Sequence, residues 1–303
     1  MKTFKLLTTL ENYLKMIKFS HSIFALPFAG IAVIEVFYWE YFKNHTLDLL
    51  TTKEILIKIL GILICMVSLR SAAMGFNRIV DRKFDKENPR TKDREIPSNK
   101  ISLKNAILFV IIFLVLFVTS AFIINPLAGF LSPIAIFLTF GYSYTKRFTY
   151  LCHFVLGFAI GIAPIATWIA LTNKISLESI GLGLVLLFYI AGFDILYSLM
   201  DIDFDKKNKL FSLPSRFGIS ISLWIARISH TISFSLMVWL GIAYELNQIY
   251  FFSIGIIFIL YTTEHYLVHK NLKNIPIAFF NINSMISTTL FFGLLFDRIY
   301  FNL

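Results

Sequence analysis

The sequence predicts an all-α integral membrane protein with nine transmembrane helices and a cytoplasmic N-terminus. Three observations predict it. The 303 residues are 57% hydrophobic and only 15% charged, with a mean hydropathy of +0.74. A water-soluble domain carries about 25% charged residues, so this chain lacks the polar side chains to cover a soluble surface. Apolar stretches of crossing length recur nine times along it. Its basic residues, finally, concentrate on alternate connections between those stretches.

A helix rises about 1.5 Å per residue, so about 20 apolar residues cross the hydrocarbon. Such stretches fall at roughly 19–39, 55–77, 105–124, 126–145, 151–172, 180–200, 221–244, 249–268 and 277–296. The third and fourth are joined only by Asn125-Pro126, which fits a short hairpin with Pro126 opening a helix. Lys2, Lys5, Lys15 and Lys18 precede the first span, and nine basic residues between Arg78 and Lys104 follow the second. Lys146 and Arg147 follow the fourth, Lys206, Lys207, Lys209 and Arg216 the sixth, and Lys270 and Lys273 the eighth. Only Lys43, Lys53, Lys174 and Arg298 fall on the other side, a contrast of 21 to 4. One miscounted span would scramble that asymmetry, which places the N-terminus and the basic loops in the cytoplasm. The net charge of +10 therefore reflects topology and anionic headgroups, with no nucleic-acid partner implied. The chain reads as a single membrane domain, 1–303, made of two pseudo-repeated bundles at roughly 19–145 and 151–296.

The 18 carboxylates are unevenly placed. Half lie in two short regions, Asp81 to Glu95 and Asp194 to Asp205, at the cytoplasmic ends of even-numbered spans. Asp81 and Asp201 are 120 residues apart, as are Asp85 and Asp205. On a helix, residues four apart share a face. Asn77, Asp81 and Asp85 thus form one polar stripe, with Arg70 two turns deeper, and Tyr197, Asp201 and Asp205 form another, with Asp194 on a related face. Packed carboxylates repel, and a divalent cation removes that cost. Mg²⁺ takes hard oxygen ligands and keeps positions for water and phosphate oxygens. Two such stripes suit Mg²⁺ with a diphosphate, and Arg70, Arg90, Arg94, Lys146 and Arg147 are candidates to balance its charge. A single Asp-x3-Asp is usually a solvated helix end. Two of them, each led by a polar residue one turn earlier in a chain this poor in charge, favour function. Arg70 lies within a span, where a charge is costly and is read as functional by default. Lys58 and Arg227 sit nearer span ends and are read as snorkelling. Glu35 and Glu264 have no partner visible in the sequence.

Arg70-x6-Asn77-x3-Asp81-Arg82-Lys83-Phe84-Asp85, followed by Arg90-Thr91-x2-Arg94-x2-Pro97-Ser98, resembles the first signature of the UbiA family of membrane aromatic prenyltransferases. Asp194-x2-Tyr197-x3-Asp201-x-Asp203-x-Asp205 resembles the second, and Tyr142-x3-Lys146-Arg147-x2-Tyr150 and Gly157-x3-Gly161 also fit. The resemblance implies nine helices around a central cavity. It implies that Asn77, Asp81, Asp85, Asp201 and Asp205 bind Mg²⁺ and diphosphate, with further diphosphate contacts from Arg94, Lys146 and Arg147. The implied chemistry is ionisation of an allylic polyprenyl diphosphate followed by attack of an electron-rich aromatic acid. Arg70, Asp194, Arg90 and Tyr197 complete the candidate site. Two departures stand out: many quinone-pathway members carry Asp where this chain has Arg78, and the segment Arg94–Asn99 differs from their usual Arg-Pro-Leu-Pro-Ser-Gly. The stretch Lys18–Phe28 is similar to a bacterial subgroup described as 4-hydroxybenzoate polyprenyltransferase-like, which implies the bacterial inner membrane with the active site facing the cytoplasm. The acceptor expected first is 4-hydroxybenzoate, with a dihydroxynaphthoate second. A transporter of cations or phosphate metabolites is the competing class. It would place its acids near mid-membrane on broken helices, whereas these sit at span ends.

Overall fold

The computed structural model describes residues 2–44 and 51–301. Among them there is no strand, and nine helices are long and apolar enough to cross a membrane, matching the nine stretches read from hydropathy. An N-terminal helix α1 (Lys2–Met16) leads through a 3₁₀ segment, Phe19–Phe24, into α2 (Leu26–Val36), which continues as a π-helical stretch, Phe37–Lys43. Then come α3 (Thr52–Glu87), α4 (Leu103–Ile124), α5 (Pro126–Thr145), α6 (Cys152–Thr172), α7 (Leu177–Ser198) and the short α8 (Ile202–Lys207). The chain ends with α9 (Leu213–Ala243), α10 (Gln248–Lys270), the single turn α11 (Ile275–Ile277) and α12 (Asn283–Phe301).

Local sequence explains the boundaries. Ser102 caps α4 by accepting from the Asn105 amide. Ser176 and Ser212 each open a helix with a reciprocal capping box, to Ser179 and Ser215, satisfying amides that a helix start leaves orphaned. Asn173 ends α6 at φ 57°, the left-handed conformation Asn tolerates. Within α9, Gly218 takes φ 77° and ψ −179°, which breaks the first turn from the long apolar remainder and requires a residue without Cβ.

The chain divides into two compact units, Met1–Ser22 with Leu60–Tyr144, and Ile23–Ile59 with Thr145–Leu303. In the first, Met16, Ile17, Ile96, Ile101 and Ala106 form a buried cluster that joins the end of α1 to the loop after α3 and to α4. Phe76 of α3 stacks on Phe140 of α5 with ring centroids 4.2 Å apart. In the second, α7 packs on α6 and α9, α10 on α12, and α2 on α6 and α12. From Ile23 onward the first span belongs to the second unit. A Cβ at Gly161 would stand 2.7 Å from the Gly183 carbonyl oxygen, and one at Gly183 equally close to that of Gly161. Small residues let helix backbones approach in a membrane, and here the contact is backbone on backbone. Gly161→Leu is expected to force α6 and α7 apart and to lower the thermal midpoint of the detergent-solubilised protein, while Gly255→Leu, where a Cβ meets open space, leaves it unchanged.

α3 runs on past the apolar stretch to Glu87 and carries the whole first motif, as its four-residue spacing predicts. Two expectations are corrected. The second motif is not one α-helical stripe. α7 stops at Ser198, Leu199–Asp201 forms a 3₁₀ turn, and α8 starts at Ile202. A 3₁₀ turn holds about 3.0 residues against about 3.6 in an α-helix, so Asp201 and Asp205 are offset from Tyr197 rather than aligned below it. Arg298 is no surface charge either. It is fully buried and paired with Glu35 at 2.6 Å, which supplies the partner the sequence leaves unseen.

Candidate active site

In the first unit the last turns of α3 carry the motif. Asn77 Nδ2 donates to Asp81 Oδ2 at 3.0 Å. Arg78, 6% exposed, directs Nη1 to Asn77 Oδ1 at 3.5 Å and Nε to the Met16 carbonyl at 3.3 Å. Arg70 donates to the carbonyls of Ile17 and Lys18 at 3.1 and 3.2 Å. Two arginines two turns apart thus take up the carbonyls where α1 ends, groups a helix terminus leaves unsatisfied. Asp85 is buried, and its Oδ1 accepts from Arg94 Nη1 at 2.7 Å. Its Oδ2 is also buried and has no hydrogen-bond partner. The loop that delivers Arg94 is shaped locally: Thr91 Oγ1 donates to the Asp85 carbonyl at 3.1 Å, and Ser98 Oγ to that of Arg94 at 2.7 Å. Positive charge accumulates here. Burial pushes the Lys18 ammonium below its ordinary range, and Arg78, Arg94 and Arg90 push it the same way against the opposing pull of Glu95.

The second unit repeats the arrangement with different parts. Asp205 is 0% exposed. Its Oδ2 accepts from Lys146 Nζ and from Ser212 Oγ, both at 2.9 Å, while its Oδ1 is buried and has no hydrogen-bond partner. Burial alone lowers the Lys146 pKa, but the ion pair with Asp205 outweighs it, Asp201 adds to the pair, and the ammonium ends above its ordinary value. Asp201 is 7% exposed at the 3₁₀-to-α junction. Arg147 is exposed beside Lys146. Tyr197 packs on Phe279 with ring centroids 4.2 Å apart. Asp194 accepts at Oδ2 from His153 Nδ1, 2.7 Å away.

Within each unit, then, the structure joins one motif carboxylate to one of the cations named from sequence, Asp85 to Arg94 and Asp205 to Lys146. It does not join Arg70 to the carboxylate stripe. His153, Ser212 and Arg78 are added by the structure. Ser212 had a signal, Ser-x-x-Ser seven residues after Asp205. His153 had none, because its partners lie 41 and 60 residues away.

Among the described residues no three His, Cys, Asp or Glu side chains converge into a ready metal cage. Each orphaned oxygen nevertheless fits a hard cation at its own motif. Each belongs to a carboxylate whose other oxygen is already held, and Mg²⁺ is commonly bound through one or two carboxylates while phosphates and water complete its shell.

The profile described as the UbiA prenyltransferase family matches residues 50–285. The 4-hydroxybenzoate octaprenyltransferase of Vibrio campbellii is 31% identical over 230 residues, covering 75% of this chain and 80% of the relative. The corresponding protein of Vibrio vulnificus is 29% identical over 243 residues, covering 79% and 83%. Among solved structures, a UbiA homolog from Aeropyrum pernix K1 superposes with a TM-score of 0.79 at 26% identity, over 92% of this chain and 98% of that one. A homolog from Archaeoglobus fulgidus bound to GPP and Mg²⁺ shares the fold at a TM-score of 0.64 and 19% identity, over 93% and 99%. With most of its length matched by the family profile and its nine helices arranged in the same fold, the chain belongs to the UbiA prenyltransferase family and is a membrane prenyltransferase.

Proposed function

We propose that this enzyme transfers a polyprenyl group from a polyprenyl diphosphate to an aromatic acid, with 4-hydroxybenzoate as acceptor and Mg²⁺ as cofactor. The observation that carries the reading is the repeated carboxylate: Asp85 and Asp205 each fix one oxygen on a cation and hold the other buried and open. Asn77 and Asp81 would serve Mg²⁺ and diphosphate beside Asp85 in the first motif, and Asp201 beside Asp205 in the second. Mg²⁺, when bound, supplies positive charge against the departing diphosphate. The chain's own cations act on that charge too. Arg94 and Lys146 are held by carboxylates before substrate arrives, so they need little reorganisation to face phosphate, and Arg90 and Arg147 extend the positive surface. The allylic C–O bond breaks, a ring carbon of the acceptor forms the new C–C bond, the ring proton is lost, and diphosphate leaves. The name and Mg²⁺-bound state of the relatives support the substrate class, which they carry as their own property.

A dihydroxynaphthoate acceptor is the second reading. Its ground is that Arg78, buried and bonded to the motif Asn77, stands where many quinone-pathway members have Asp, a departure from the pattern behind the 4-hydroxybenzoate assignment. Purified enzyme offered both acids in competition, with products read by mass spectrometry, is expected to prenylate 4-hydroxybenzoate in preference. Exclusive prenylation of the naphthoate overturns the first reading in favour of the second. We also place the motifs on the cytoplasmic side of a bacterial membrane. Lys92→Cys, in the loop after α3, should be labelled by an impermeant thiol reagent from the cytoplasmic face only, and labelling from the other face alone refutes that orientation.

A further inference from the structure

His153 is 2% exposed at the start of α6, and its two ring nitrogens have different partners. Nδ1 lies 2.7 Å from Asp194 Oδ2. Nε2 lies 3.4 Å from the backbone nitrogen of Leu213, which points its hydrogen at it. A backbone N–H only donates, so Nε2 accepts and carries no proton. The ring proton is then on Nδ1 and goes to the Asp194 carboxylate. The other tautomer sets two N–H groups against each other at Leu213 and turns a lone pair on Asp194. His230 has the opposite pattern, because its Nε2 faces the carbonyl of Tyr189 at 3.3 Å and must donate there.

Leu213 is the first residue of α9, and Ser212, its N-cap, donates Oγ to Asp205 Oδ2 at 2.9 Å. The same segment is fastened twice more: the Phe211 amide donates to the Lys146 carbonyl at 2.7 Å, and Cys152 Sγ contacts the Phe211 carbonyl at 3.4 Å. Hydrogen bonds therefore run from Asp194 through His153 to the start of α9, and from its cap to Asp205. We propose that His153 is a positioning residue for the second motif: as a neutral, Nδ1-protonated imidazole oriented by Asp194, it fixes the α9 start so that Ser212 holds Asp205 with one carboxylate oxygen open. Asp194 acts through His153. The catalytic part of this inference rests on the proposed metal-diphosphate role of Asp205.

Gln and Asn separate the two links, because a Gln carbonyl reaches the place of Nε2 and an Asn amide the place of Nδ1. His153→Gln keeps an acceptor for Leu213 and loses the donor to Asp194, and His153→Asn does the reverse. Each is expected to raise the half-saturating Mg²⁺ concentration and the KM for the allylic diphosphate about tenfold, the effect of one hydrogen bond, while kcat changes little. In parallel, histidine-selective ¹⁵N NMR of the unsubstituted protein in nanodiscs, assigned by the signal lost in His153→Gln, is expected to show Nδ1 protonated and Nε2 bare. Unchanged Mg²⁺ and diphosphate dependence in both variants overturns the proposal. So does a fall in kcat alone, which would put His153 in the chemistry, and so does a proton found on Nε2. The NMR readout needs no turnover, and His153→Asn gives the assignment where His153→Gln does not fold. A wild-type enzyme without prenyl transfer therefore defeats the functional reading, and the tautomer is still decided.

Discussion

Asp205→Asn lowers the rate of prenyl transfer by roughly 10²–10³-fold, the loss that follows removal of one preorganised electrostatic group. The amide keeps the size of the carboxylate and can still accept from Ser212, so the α9 cap survives. What disappears is the anion that faces Lys146 and offers the open oxygen. Lys146 is not stranded by the change, because its side chain is 36% exposed and can turn to water. The variant should therefore insert and unfold like the parent, with the defect confined to turnover. Asp85→Asn should behave alike, since Arg94 is also partly exposed, at 20%. Asp81→Asn and Asp201→Asn should abolish Mg²⁺-dependent transfer as well. Initial rates across a Mg²⁺ series in nanodiscs, beside thermal unfolding of the same samples, make the measurement. Full activity in either Asp81→Asn or Asp201→Asn sinks the metal assignment.

Glu35→Leu produces the largest loss of stability, about 3–5 kcal/mol, because it leaves a buried guanidinium without its anion. Arg298 donates Nε and Nη2 to the two oxygens of Glu35 at 2.9 and 2.6 Å, and Nη2 also to the Tyr244 carbonyl at 2.6 Å. Its guanidinium lies 3.6 Å from the Tyr38 ring centroid, and Trp39 Nε1 donates to Glu35 at 3.2 Å. Nothing there offers water to a lone charge, since both side chains are fully buried. Replacing both, as Glu35→Met with Arg298→Met, should recover most of the loss, for an apolar pair of similar volume is often neutral against a buried ion pair. Denaturant unfolding in mixed micelles of Glu35→Met, Arg298→Met and the double variant reads the coupling. Additive losses would show that the pair contributes nothing beyond its separate side chains.

Sequence reasoning reached the elements with strong local signals. Hydropathy located nine spans, because twenty apolar residues in a row are hard to use otherwise, and four-residue spacing placed Asn77, Asp81 and Asp85 on one face of α3. The break at Leu199–Asp201 was not legible: no Pro or Gly marks it, and Leu-Met-Asp reads as helix. Glu35 and Arg298 are 263 positions apart, and no periodicity links such a pair. The topology count was blurred by the same fact, because one of the four charges on its minor side is a core residue. His153 carries no sequence signal, because its partners stand 41 and 60 residues away.

The cations that neutralise Asp85 and Asp205 give the proposed site a thermodynamic character. Arg94 and Lys146 serve a carboxylate or a phosphate oxygen, and a carboxylate serves one of them or a metal. At each motif, Mg²⁺ arriving alone would give up the carboxylate–cation pair for a cation turned to water, and a phosphate oxygen arriving alone would bring its charge against the carboxylate. Together they exchange partners with none left over. On the proposed reading the two affinities are linked, each raised by the presence of the other and by the same factor, and the metal would be held most tightly when the substrate is there to share it.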